Sequence, residues 1–143
     1  MNKKAEIFKK YLDENGIDCF QVDEIAGDEL NTVVFRSNIA VEGQQLPTLI
    51  LADSSIYTVI RVQMAVAALK ESNQVELIKT INELNRTYKV FKYYFDANGD
   101  LLLDSVIPAP ADQLDGDMVY TILDVVVQHI TGEYKNLMKK IWG

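Results

Sequence analysis

Residues 82–106, NELNRTYKVFKYYFDANGDLLLDSV, run through a helix end, a strand, a turn and a second strand, and both strands are apolar at almost every position. The centre, Asp96-Ala97-Asn98-Gly99-Asp100, suits a type I turn closed by a glycine bulge. Asp is favoured at the first turn position, and Gly supplies the positive φ of the bulge. That turn sets Phe95 opposite Leu101, Tyr94 opposite Leu102, Tyr93 opposite Leu103, and Lys92 opposite Asp104 as an opposite-charge pair. A two-residue Asn-Gly turn would shift the pairing and put Tyr93 against Asp104, which is less complementary.

One face of this hairpin carries Phe91, Tyr93, Phe95, Leu101 and Leu103 and belongs on a core. The other carries Val90, Tyr94, Leu102 and Val106, with only the Lys92–Asp104 pair to wet it. A sheet with one solvated face shows more polar alternation than this. The second face is therefore expected to be at least partly covered, by the long closing helix, by a second copy of the chain or by a client protein. The plainer alternative is ordinary packing within one chain, since scattered exposed apolar residues are normal. Val90, Tyr94, Leu102 and Val106 form the candidate interaction face.

The rest of the chain fits around the hairpin. Residues 3–15 have Ile7, Phe8, Tyr11 and Leu12 on one helical face, and Asn15-Gly16 makes a suitable stop. Strands are expected at residues 17–25, 31–41, 48–52 and 56–66, with turns at Ala26–Glu29, Glu42–Gln45 and Asp53–Ser55. In the second, Val33, Phe35, Ser37, Ile39 and Val41 share a face. A second helix starts near Asn73, with capping-box spacing to Glu76 and a stripe of Leu77, Ile78, Ile81, Leu84 and Tyr88. Pro108 and Pro110 stiffen the loop after the last strand. A closing helix begins between Asp112 and Asp117 and runs to about Ile141 on Val119, Ile122, Leu123, Val126, Ile130, Tyr134, Leu137 and Ile141. Gly132 within it weakens the helix by roughly 1 kcal/mol relative to Ala. The order is α-ββββ-α-ββ-α, an α+β fold with helices packed on an antiparallel sheet, and residues 1–143 form one domain.

The stretch ELIKTINELNRTYKVFKYYFDANGDLLLDSVIPAPADQL, followed by an amphipathic helix, resembles the YbjN-like family of small bacterial proteins, described as sensory-transduction regulators. The shared features are the Asn82-Glu83-Leu84-Asn85 helix end, the aromatic strand, the Asp-Asn-Gly turn, the second strand and the closing helix. The resemblance implies a fold like that of type III secretion chaperones, frequent dimerisation and no enzymatic chemistry, and it offers no catalytic residues. In place of the family's common Thr-Pro-Glu helix start, this chain has Asp112 to Asp117.

Composition narrows the function classes. The formal net charge of −7 disfavours nucleic acid, whose phosphates an acidic chain repels. Lys135, Lys139 and Lys140 suit the C-terminal turn of a helix. No stretch approaches the about 20 apolar residues of a membrane span. The opening MNKKAEIFKKYL has no apolar run after its lysines, so no signal peptide is expected. With Cys19 as the only cysteine, a reducing, cytoplasmic location fits.

No enzyme and no cofactor are expected. His129, the only histidine, borders the closing helix's stripe and reads as packing or surface. Cys19 reads as a small buried hydrophobe in an early strand. Asp96, Asn98 and Asp100 open like a calcium loop, but Gly99 comes fourth and Ile107 stands at the twelfth position, so no metal is expected. The leading expectation is a non-enzymatic interaction module, regulatory or chaperone-like and homodimeric, with a client or regulatory protein as a further partner. The alternative is a small-ligand sensor with a pocket between sheet and helices, lined by Tyr57, Tyr93 or Tyr94.

Overall fold

The computed structural model describes residues 1–143. The elements are α1 (Lys3–Glu14), β1 (Gln21–Glu24), β2 (Val33–Val41), β3 (Gln44–Ala52), β4 (Tyr57–Ala65), α2 (Gln74–Thr87), β5 (Lys92–Phe95), β6 (Leu101–Pro108), a short 3-10 turn (Ala111–Gln113) and α3 (Gly116–Trp142). The expected α-ββββ-α-ββ-α order is the observed one. The six strands form one antiparallel sheet in the order β1-β2-β3-β4-β6-β5.

Local turn chemistry sets much of this. The hairpin register is the expected one, from Lys92 opposite Asp104 to Phe95 opposite Leu101. Asp96 Oδ1 accepts the N–H groups of Asn98 and Asp100 at 2.9 and 3.0 Å, and Gly99 takes φ +78°. The β2–β3 turn is tighter than expected. Glu42 (φ 48°) and Gly43 (φ 74°) reverse the chain in two residues, so β3 begins at Gln44 rather than at residue 48. Val41 and Gln44 then form a hydrogen-bonded pair, and by alternation Pro47 faces β4 with no N–H to give. The β3–β4 ladder stops beside it, at Thr48 opposite Val62, and the two strands splay apart.

All three helices pack on one face of the sheet. α1 and the first half of α3 cover Val33, Phe35, Ile50 and Ile60, with Phe8 edge-on to Phe35 at 5.1 Å. α2 and the second half of α3 cover Ile39, Val41, Leu46, Val62, Leu101 and Leu103. The α3 stripe is buried as expected, apart from half-buried Ile122, and it joins the two clusters. Asp115 caps α3 by accepting the N–H groups of Asp117 and Met118. Gly116 lets α1 and α3 meet, because a Cβ there would lie 2.6 Å from Cβ and Cγ of Tyr11. At Gly132 a Cβ would meet nothing within 4 Å, so close packing does not explain that glycine.

Some expectations fail for local reasons. The α2 stripe is narrower than expected: Leu77, Ile81 and Leu84 are buried, but Ile78 is 51% exposed and Tyr88 lies at the helix end, also exposed. Asn73 does precede α2 but makes no capping box. Its side chain instead bonds Lys70 N–H and the carbonyls of Ala68 and Ile141, tying the loop to the end of α3. The first strand is only Gln21–Glu24, which leaves Cys19 in the preceding connection, where it is exposed rather than buried.

Candidate interaction surface

The face of the sheet opposite the helices carries no element of the chain, so the closing helix does not cover it. Register aligns one apolar row across it: Val34 opposite Leu51, Leu51 opposite Val59, and Val59 opposite Val106. Val34 is buried, Leu51 and Val59 are half-buried, and Val106 is 50% exposed at the far end of the row. Of the other face residues expected from sequence, Tyr94 and Leu102 sit opposite each other, half-buried, on this outer face. Val90 lies two residues before β5 and is exposed.

A single polar group interrupts the outer face between Val106 and Leu102. Asp104 accepts a bidentate pair from Arg61, Nε to Oδ1 at 2.9 Å and Nη2 to Oδ2 at 2.8 Å, and a third bond from Tyr94 Oη at 3.2 Å. Burial and the Asp104 charge raise the Tyr94 pKa, which keeps this hydroxyl a donor. The expected Lys92–Asp104 ion pair does not form, although the two residues are opposed. Lys92 Nζ instead caps the end of α2, donating to the carbonyls of Asn85 at 2.8 Å and Tyr88 at 2.6 Å. The planar guanidinium of Arg61 matches a carboxylate better than an ammonium does.

The two edges of the sheet differ. At β5, the Asn85 side chain accepts from Tyr93 N–H at 2.8 Å and donates to Tyr93 O at 3.1 Å, occupying both outward main-chain groups. At the other edge β1 pairs only with Val33–Arg36, so the remainder of β2, out to Val41, has no neighbour on that side.

Inside, His129 packs against Tyr88 and Phe91 with ring centroids 4.4 Å away in each case, and its Nε2 lies 2.7 Å from Tyr93 Oη. Burial lowers its pKa, partly offset by Glu133. Its surroundings are those of a packing residue. Tyr93 lies on the helix side of the sheet and Tyr57 and Tyr94 on the other, so these tyrosines share no pocket. No group of three or more His, Cys, Asp or Glu side chains is placed to hold a metal ion, and no helix is long and apolar enough to cross a membrane.

Lys4 is a buried cation that sequence reasoning overlooked. It is fully buried, donates to Tyr57 O and to Thr58 Oγ1 (3.2 Å), and lies 3.7 Å from Asp53. Burial lowers its pKa, opposed by Asp53. Its position one helical turn before Phe8 and two before Leu12 was the available signal.

No protein-family model matches this chain, and no curated protein matches it either. Two solved structures do resemble it. ExsC, in the ExsC–ExsE complex, is similar over 96% of this chain and 97% of its own length, with a TM-score of 0.58 and 14% identity. The Yersinia pestis type III secretion chaperone SycH, in complex with a stable fragment of YscM2, is similar over 89% of this chain and 95% of its own length, with a TM-score of 0.52 and 10% identity. At such identities the likeness is one of architecture: the chain has the α+β fold of the type III secretion chaperones.

Proposed function

We propose that this chain is a non-enzymatic protein-interaction module, regulatory or chaperone-like, of the YbjN-like kind, working as a homodimer in the cytoplasm. The observation that carries this is the outer face that no helix covers, where half-buried Leu51 and Val59 run out to exposed Val106 and half-buried Tyr94 and Leu102 add apolar surface beside them. Contiguous apolar surface of this kind marks protein contacts more often than solvent-facing sheet. Val90, Tyr94, Leu102 and Val106 belong to the proposed contact face. A single bidentate Arg61–Asp104 pair within it fixes orientation, which suits a specific contact better than indiscriminate sticking. The unpaired stretch of β2 offers a client main-chain hydrogen bonds in addition. The fold likeness to ExsC and SycH, each solved with a protein partner, supports the same reading.

Light scattering across a dilution series tests it. A dimer is expected for the parent chain and a monomer for Val59→Asp with Val106→Asp. A parent chain that is monomeric at every concentration and is unaffected by the double substitution would overturn the homodimer.

A further inference from the structure

A second surface lies at the end of the sheet where the β3–β4 ladder stops beyond Pro47. The last turns of α3 form the floor of this fork, through Tyr134, Met138 and Trp142. These three residues also line a neighbouring cleft on the other flank of α3, with Glu42, Lys135 and Lys139 on its walls. The two clefts, of about 340 and 450 Å³, thus share one ridge. Trp142 is 53% exposed and Val66, at the fork's lip, 60% exposed.

The charge here runs against that of the whole chain. Acidic residues number 21 against 14 Lys and Arg overall, yet at this ridge Lys135 and Lys139 stand with Glu42 as the one acidic side chain, beside Gly143. Lys139 makes no ion pair, and Lys135 reaches Glu42 only at 3.6 Å between exposed side chains. The helix dipole accounts for lysines within the last turn of α3. It does not account for Lys70, which comes from the loop before α2 and holds its ammonium 4.2 Å above the Trp142 ring with no carboxylate partner. Gln44, Gln45 and Gln63 line the fork, and their side-chain amides make no hydrogen bond within the chain. Free amides beside an apolar floor suit the main chain of an extended segment. Clefts this open do not enclose a small molecule, which needs most of its surface buried.

We propose that this lysine-rimmed groove binds an acidic, extended segment of a partner protein, seating an apolar side chain in the fork and its carboxylates against Lys70, Lys135 and Lys139. The proposal rests on the reading of the chain as an interaction module and assigns the partner's chemistry to a site that meets the outer face only at Gln63, opposite Leu102.

Trp142 is the only tryptophan, so its fluorescence and its indole N–H signal report this site alone. The probes are three short synthetic peptides in which Leu alternates with Glu, with Lys or with Ser. The Glu peptide is expected to move both signals saturably, with a Kd in the range of about 10–100 µM. Raising salt from 0.05 to 0.5 M should weaken it by about tenfold or more, because the contacts are exposed. Lys70→Glu with Lys139→Glu, both at the surface, should abolish the response while circular dichroism stays unchanged. Equal response to all three peptides, or none to any, overturns the proposal. So does a response to laurate alone, or a Trp142 signal that changes on dilution without peptide, which would place a second copy in the groove. Amide shifts confined to Leu51, Val59 and Val106 overturn the groove while leaving the interaction-module reading standing, and the dimer is tested independently by light scattering.

Discussion

Leu102 and Leu103 are neighbours in β6, chemically identical, and they lie on opposite sides of the sheet. Leu103 is completely buried beneath α2 and α3, while Leu102 is half-buried opposite Tyr94 on a face that no helix reaches. The inner face shows what apolar alternation achieves when helices are present to meet it: every inward position of β2 is apolar except Ser37. The outer face also carries apolar residues, but no helix meets them, and they run from buried Val34 to half-exposed Val106. The two faces differ in their polar residues, since Arg36, Asn38, Arg61, Gln63, Lys92 and Asp104 all lie on the outer one, yet Val59 and Leu102 stand there beside them without a helix to cover them. The contrast predicts opposite consequences for paired substitutions.

The largest effect is expected within this pair. Leu103→Ala should cost about 2–5 kcal/mol of unfolding free energy, the usual range for a buried leucine, and Leu102→Ala about 1 kcal/mol or less. Urea denaturation of both variants at a concentration that keeps the oligomeric state constant checks this. Equal losses would mean that the outer side of β6 is packed too.

The two glycines of α3 repeat the contrast on a helix. Gly116→Ala drives a methyl into Tyr11 and should cost about 1–3 kcal/mol, as overpacking does. Gly132→Ala meets open space and should gain up to about 1 kcal/mol. Thermal melts of the two variants should therefore move in opposite directions.

Val106→Asp should change the stability of the isolated chain by about 0.5 kcal/mol or less, because its site is already wet. The same change should shift the oligomer equilibrium markedly towards monomer. Sedimentation velocity beside a thermal melt separates the two readouts, and a large melt shift with no change in assembly would break the contrast.

The smallest expected effect concerns pH. Burial lowers the His129 pKa below its ordinary value of 6.5, so the unfolded chain binds more protons than the folded one near that pH. The stabilisation is complete above pH 6.5 and is lost as pH falls towards the lowered folded value. Stability measured from pH 7.5 to 5 should decline less steeply in His129→Gln than in the parent chain.

How much of this was legible in the sequence follows from how local each cause is. The hairpin register could be read because Asp96 and Gly99 act within five residues of each other. The alternation of β2 could be read because a side-chain period of 2 needs no partner to be visible. Arg61 could not be assigned to Asp104, since 43 residues separate them and only the adjacency of β4 and β6 brings them together. The same adjacency supplies Val59 to Val106, so the sequence offered Tyr94, Leu102 and Val106 and missed the row that joins Val106 to Val59 and Leu51. The exposure of Ile78 depends on how far α2 leans over the sheet, and its own periodicity does not contain that. The fork floored by Trp142 needed two distant facts at once: Pro47 ending a ladder, and α3 reaching beneath it.

The asymmetry of the two sheet edges limits how such a molecule can grow. An exposed strand on both sides would let copies dock end over end without limit, as in a fibre. Here Asn85 occupies both outward groups of Tyr93 and so blocks the middle of β5, while the stretch of β2 beyond Arg36 has no such block. A pairing strand, or a twin about a two-fold axis, therefore meets fewer blocked main-chain groups beside β2 than along β5, which biases growth towards one margin.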